Sequence, residues 1–133
     1  MNRKEIIEKL KQYNFDKSNY IVISGAAMVL LGIKDKTSDI DIAVTQDYND
    51  YLVDNYNVTF DRINEYNEPV YFIDNIINFA VTYYSNKKEY VEDIPVQNVN
   101  DILRLKKRLN REKDKKDIEK LEEYKRLNLW KIH

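Results

Sequence analysis

Ser24-Gly25-Ala26-Ala27-Met28-Val29-Leu30-Leu31-Gly32-Ile33-Lys34-Asp35-Lys36-Thr37-Ser38-Asp39-Ile40-Asp41-Ile42-Ala43-Val44 is the stretch whose reading decides the fold. At its end Asp39 and Asp41 alternate with Ile40 and Ile42. A period of two is the grammar of a strand, so residues 39–44 are expected to form one, with both carboxylates on one face and both isoleucines in the core. Adjacent carboxylates repel and raise each other's pKa unless a cation sits between them. The cation that suits them is Mg²⁺, or Mn²⁺ in its place, a hard ion that takes a few carboxylate oxygens together with substrate phosphates and water. The opposing reading is a polar edge strand facing solvent. Asp is depleted in strands, which favours the metal site.

Ahead of this pair, Tyr20-Ile21-Val22-Ile23 reads as a buried strand rich in β-branched residues. Ser24-Gly25 then forms a small turn into a helix over about 25–31, apolar nearly all round and stopped by Gly32. Small residues at a strand-to-helix turn let the backbone approach a ligand, and N–H groups at a helix start attract phosphate. Ser-Gly opening a helix, followed after roughly ten residues by Asp-x-Asp on a strand, resembles the nucleotidyltransferase fold of DNA polymerase β type. More narrowly, Ser24-Gly25-Ala26-Ala27, Gly32 and Thr37-Ser38-Asp39-Ile40-Asp41 resemble the small bacterial nucleotidyltransferases of abortive-infection and toxin–antitoxin systems. The resemblance implies an α/β (α+β) domain with a small mixed sheet flanked by helices and followed by C-terminal helices. It implies Mg²⁺-dependent transfer of a nucleoside monophosphate from an NTP to an acceptor, with tRNA or other RNA, protein and small molecules all open. A cognate antitoxin is the candidate partner. Ser24 stands where the family has its first glycine; serine keeps the small volume and adds a hydroxyl.

Two further stretches bear on the resemblance. Family members with three carboxylates carry the third within Ile-Asp-Leu-Leu-Thr on a later strand, whereas Ile77-Asn78-Phe79-Ala80-Val81-Thr82 has asparagine at the matching place. Asn78 can offer an oxygen but brings no charge and cannot act as a general base. Three readings stay open: a site working with two carboxylates and Asn78; another acid, Asp74, Asp61 or Glu68, approaching from a neighbouring strand; or a protein that binds nucleotide without turnover. The second stretch, Lys106 to Ile118, resembles the Lys…Arg-x-Lys-Asp-x-x-Asp-(Ile or Leu) run of the same proteins. That likeness implies that Lys106, Arg111 and Lys113 face the nucleotide and that the acids, Asp114 and Asp117, hold them in place. On spacing alone, Asp114 and Asp117 share a helical face and Lys113 lies four residues from Asp117, a self-paired helix.

The remainder of the chain frames these motifs. With 133 residues and 43% hydrophobic content, one core is the expectation, with residues 1–96 as an α/β body and 97–133 as a helical part. Cysteine is absent and the single histidine is His133, so a metal would be bound by oxygen. No apolar run approaches a membrane span and the N-terminus mixes acids and bases, so a cytoplasmic protein that avoids membranes is expected. The net charge of −1 hides an asymmetry: residues 100–133 hold 12 Lys or Arg against 7 Asp or Glu. Such a basic tail either complements a polyanion or is a solvated helix laced with ion pairs. Periodicity further predicts a first helix over 2–12, a helix over 45–56 and a strand over 58–63. A hairpin of 69–74 with 76–83 turns through Asp74-Asn75, a charged loop covers 87–95, and helices follow. Lys34 and Lys36, in the loop before Asp39, are candidate phosphate contacts.

Overall fold

A computed structural model describes residues 1–82 and 87–128. The elements, in chain order, are α1 (Arg3–Tyr13), β1 (Tyr20–Ile23), α2 (Ser24–Leu30), β2 (Ile40–Val44), α3 (Gln46–Asn55), β3 (Val58–Ile63), β4 (Pro69–Ile73), β5 (Ile77–Ala80), β6 (Lys88–Val91), β7 (Ile94–Gln97), α4 (Val99–Leu109) and α5 (Lys115–Asn128), with a 3₁₀ turn at Glu112–Asp114. Caps place the helix starts. The Asn2 side chain accepts from Glu5 N–H while Glu5 reaches back to Asn2, and Thr45 and Asn98 cap α3 and α4.

All the strands join one mixed sheet in the order β3-β4-β5-β2-β1-β7-β6, so the described chain is of the mixed α/β class. The central strand β2 runs antiparallel to β1 and parallel to β5, with Asp41 opposite Ile23 on one side and Asn78 on the other. Because side chains alternate, Ile40, Ile42, Val44, Ile77 and Phe79 point to the opposite face from Asp41 and Asn78. There they join Ile6, Leu10, Met28 and Leu52 of α1, α2 and α3 in the buried core. One face of the sheet is therefore spent on packing, and the other is free to hold polar side chains.

Three expectations need correction. The strand carrying the Asp-x-Asp motif begins at Ile40, whose N–H opens the ladder by donating to Ile76 O at 3.0 Å, so Asp39 lies in a bend one residue outside it. Helix α2 starts at Ser24 itself, which has φ +58. Residues 87–95 are mostly not loop: Lys88–Val91 and Ile94–Gln97 form a hairpin whose turn residues Glu92 and Asp93 have φ of +47 and +70. Charged side chains and Pro95 hid it, since proline cannot donate to a ladder. Pro95 stands outside the register pair Val22–Val96 that joins β7 to β1. The Asp74-Asn75 turn is as expected, with both residues at positive φ and Ile76 N–H donating to Ile73 O, the pattern of a type I′ turn. The predicted end of its second strand at Tyr83, like His133, falls outside the described residues.

Candidate functional site

A cavity of about 530 Å³ opens on the polar face of the sheet. Its size is that of an ordinary small-molecule site. Ser24, Gly25, Asp39, Asp41, Asn78, Lys106, Arg111, Lys113 and Asp114, scattered over ninety residues of sequence, all line it. Lys34 lines it as well, whereas Lys36 does not. Topology accounts for the convergence. β1 delivers Ser24 and Gly25 at its end, β2 and β5 are adjacent, and α4 with the 3₁₀ turn brings the basic residues over the same face.

At the acidic centre, Asn78 Nδ2 donates to Asp39 Oδ2 at 3.1 Å, while Asn78 stands in register with Asp41. Asp41 is pushed up to about 6, first by burial and next by the Asp39 charge; Arg62, the Asn78 hydrogen bond and Lys106 oppose the rise. The two carboxylates thus meet the repulsion that the sequence implied. Asn78 Oδ1 is buried and has no hydrogen-bond partner among the described residues. Buried polar atoms are rarely left so, and here the orphan is an oxygen beside two carboxylates. Asp39, Asp41 and Asn78 therefore fit a hard divalent cation, although among the described residues no three of Asp, Glu, His and Cys converge to hold one.

Of the other acids considered as a third carboxylate, none lines the cavity. Asp74 is in the β4–β5 turn, hydrogen-bonded by the Tyr13 hydroxyl, and Glu68 closes the β3–β4 loop. Asp61 is displaced by a bulge. β3 pairs Phe60 with Tyr71 and then Arg62 with Val70, so Asp61 is the unpaired extra residue. Without that insertion the residue opposite Val70 would be Asp61; with it, Arg62 stands there and lines the cavity.

The phosphate turn is built differently from expectation. The Ser24 backbone N–H donates to Gln97 Oε1 at 3.2 Å, so a buried side chain from β7 already uses one of the amides expected to be open. A Cβ on Gly25 would lie 3.0 Å from Thr37 Oγ1, a tight contact that the Thr37 side chain would have to relieve by shifting a few tenths of an ångström. Thr37 is in turn fixed by its N–H donating to Met1 O at 2.9 Å.

Opposite the carboxylates lies an ion network. Buried Lys106 contacts Asp114 at 3.3 Å and Asp117 at 3.2 Å, Arg111 forks onto Asp114 through Nε and Nη2 at 2.7 and 3.1 Å, and Lys34 reaches Asp117 at 3.4 Å. Burial would raise the Asp114 carboxyl, but the Arg111 hydrogen bond and the Lys106 charge outweigh it and hold the group below its ordinary range. The expected Lys113–Asp117 pair is not among the ion pairs of the described residues, because Lys113 lies in the 3₁₀ turn and not on α5. Elsewhere the tail is laced with exposed pairs such as Lys107–Glu122 and Lys115–Glu112, which matches the solvated-helix reading for those positions.

Sequence reasoning missed Arg62, Glu65, Tyr66, Gln97 and Asp117 as lining residues. Asp117 was legible inside the Lys106–Ile118 stretch. The others depend on a bulge, a hairpin loop and an unexpected strand, none of which has a local signal. Tyr66 is held over the mouth by Arg108 of α4, whose guanidinium lies 5.3 Å from the ring centroid. No protein-family model matches the chain, and neither curated proteins nor solved structures give a match. Among the described residues no helix is long and apolar enough to cross a membrane.

Proposed function

We propose that the chain is a divalent-cation-dependent nucleotidyltransferase, moving a nucleoside monophosphate from an NTP to an acceptor. The observation that carries this reading is the meeting, in one cavity, of an Asp39–Asp41 pair with an orphaned Asn78 oxygen and a set of basic side chains including Lys106 and Arg111. Mg²⁺ or Mn²⁺ held by Asp39, Asp41 and the Asn78 amide would supply charge neutralisation at the triphosphate. The chain's own part is positional. Asp39 and Asp41 fix the polar centre, and Thr37, wedged against Gly25, shapes the floor. Asp114 and Asp117 hold Lys106 and Arg111 in fixed orientations, which suits binding of phosphate without reorganisation. The acceptor hydroxyl would attack the α-phosphorus in line, its proton passing to solvent, and the new P–O bond would form as the bond to pyrophosphate breaks.

The likeness to toxin–antitoxin proteins extends the proposal to an RNA or protein acceptor and a cognate antitoxin. A second reading is a nucleotide-binding protein without turnover, favoured by Asn78 in place of an acid and by the absence of Asp61, Asp74 and Glu68 from the cavity wall. Incubating the chain with each α-labelled NTP, Mg²⁺ and cell extract separates the two. Label appearing in RNA, protein or a small molecule, and lost with Asp39→Asn, is the expected result. Tight NTP binding with no label transferred from any NTP would favour the binding protein.

A further inference from the structure

Compared with a three-acid site, this cavity has one carboxylate fewer and one guanidinium more. Asn78 removes the charge, and the β3 bulge adds Arg62 by setting it opposite Val70 in place of Asp61. We propose that Arg62 is a polyphosphate-binding residue of this site, and that the chain holds a nucleoside triphosphate with a single divalent cation. The inference rests on the nucleotidyltransferase reading above.

The cations of the cavity differ in how firmly they are already held. Lys106 is buried between Asp114 and Asp117, Arg111 is forked onto Asp114, and Lys34 is paired with Asp117. Each of them can face phosphate only from where it stands, because leaving its place would strip a buried acid of its partner, a costly exchange. Arg62 is different. Its partner is the neighbouring Asp61, and the Arg62 side chain is 56% exposed. An exposed pair of this kind is worth little, so exchanging Asp61 for phosphate costs little. A guanidinium also presents a planar fork that matches two phosphate oxygens, which a lysine on the same strand would not. A second cation, by contrast, would need ligand charge that an amide at position 78 does not supply. Arg62 then carries at the polyphosphate the positive charge that a second ion would otherwise bring.

The test is titration of the purified chain with Mn²⁺ and with the α,β-methylene analogues of ATP and GTP, read by calorimetry and by the electron paramagnetic resonance of bound Mn²⁺. Wild type is expected to bind one Mn²⁺ per analogue. Arg62→Ala should bind Mn²⁺ alone as wild type does, yet lose about tenfold or more in affinity for the analogue, the scale of a charge-assisted contact. Arg62→Lys, which keeps the charge without the fork, should fall between the two. Arg62→Asp, adding a third carboxylate, should admit a second Mn²⁺. Retained Mn²⁺ binding and circular dichroism separate these effects from unfolding. Unchanged analogue affinity in Arg62→Ala, or two Mn²⁺ ions in wild type, would overturn the inference while leaving the nucleotidyltransferase reading intact. A wild type that binds neither Mn²⁺ nor analogue would overturn both.

Discussion

Asp41 concentrates the tension of the site in one residue. Its carboxyl is pushed up to about 6 by burial and by Asp39, so the folded protein holds a proton there that the unfolded chain releases near pH 4. A raised acid destabilises the folded state progressively as pH rises past the unfolded value and in full above the folded value; this contribution should therefore fade as pH drops from about 6 to 4. Asp41→Asn is expected to stabilise the metal-free protein at pH 7.5 by roughly 2 kcal/mol and to show no such gain at pH 4, as urea unfolding at the two pH values would report. Equal gains at both would mean that the charge is not the cause. Ser24 carries a second cost, a non-glycine residue at φ +58. Ser24→Gly should raise stability by about 0.5 kcal/mol and leave nucleotide binding intact, because glycine adopts that backbone freely and the Gln97 contact is made by the main chain. Asn78 stands in register with Asp41 on the adjacent strand and donates to Asp39. Asn78→Asp should keep the fold and tighten Mn²⁺ binding; if it also raises label transfer, an acid at this position can take the acceptor's proton. A weaker hold on Mn²⁺ would contradict the placement of Asn78 at the cation.

At the scale of elements, α4 and α5 are joined by Lys106, which reaches from one helix to Asp114 and Asp117 at the start of the other. Lys106→Met keeps the aliphatic stem but leaves two acids short of a partner in a buried place. Removal of one member of a buried pair costs about 3 kcal/mol, and the Arg111 and Lys34 contacts that survive make this the upper end of the expected loss. Chemical denaturation would measure it, and an unchanged midpoint would show that the helices dock through Ile102 and Leu121 alone. How legible each element was depends on where its signal lives. Asp39-Ile40-Asp41-Ile42 and Asp74-Asn75 carry their structure in a few adjacent residues, so the β2 strand and the β4–β5 turn could be read directly. The β6–β7 hairpin could not, because Lys88 to Val91 looks like loop and Pro95 argues against a strand; its stability comes from packing Ile94 and Val96 against a sheet that local sequence cannot display. The β3 bulge was equally hidden. Val58 to Asp61 alternates and Arg62 breaks the period, but only the pairing with β4 reveals that Asp61 drops out of register and Arg62 takes its place.

For the molecule as a whole, the sheet divides the labour: one face is buried under α1, α2 and α3, and the other gathers Lys34, Asp39, Asp41, Lys106, Arg111, Lys113 and Asp114 around one cavity. The candidate site was legible as a set of residues because its motifs are short and ordered along the chain. Its wiring was not, since Gln97, Arg62 and Asp117 act through contacts between distant elements. On the proposed function, a metal-bearing triphosphate would lie between Asp39 and Asp41 and the basic side chains of the same cavity. The most direct measurement is calorimetric titration of Mn²⁺ with a non-transferable NTP analogue into wild type and Asp39→Asn at pH 7.5. The account predicts that wild type binds the metal–nucleotide pair and that Asp39→Asn loses at least about tenfold in affinity while staying folded, since even outer-shell losses at metal sites cost that much. Equal affinity in the two proteins would contradict it.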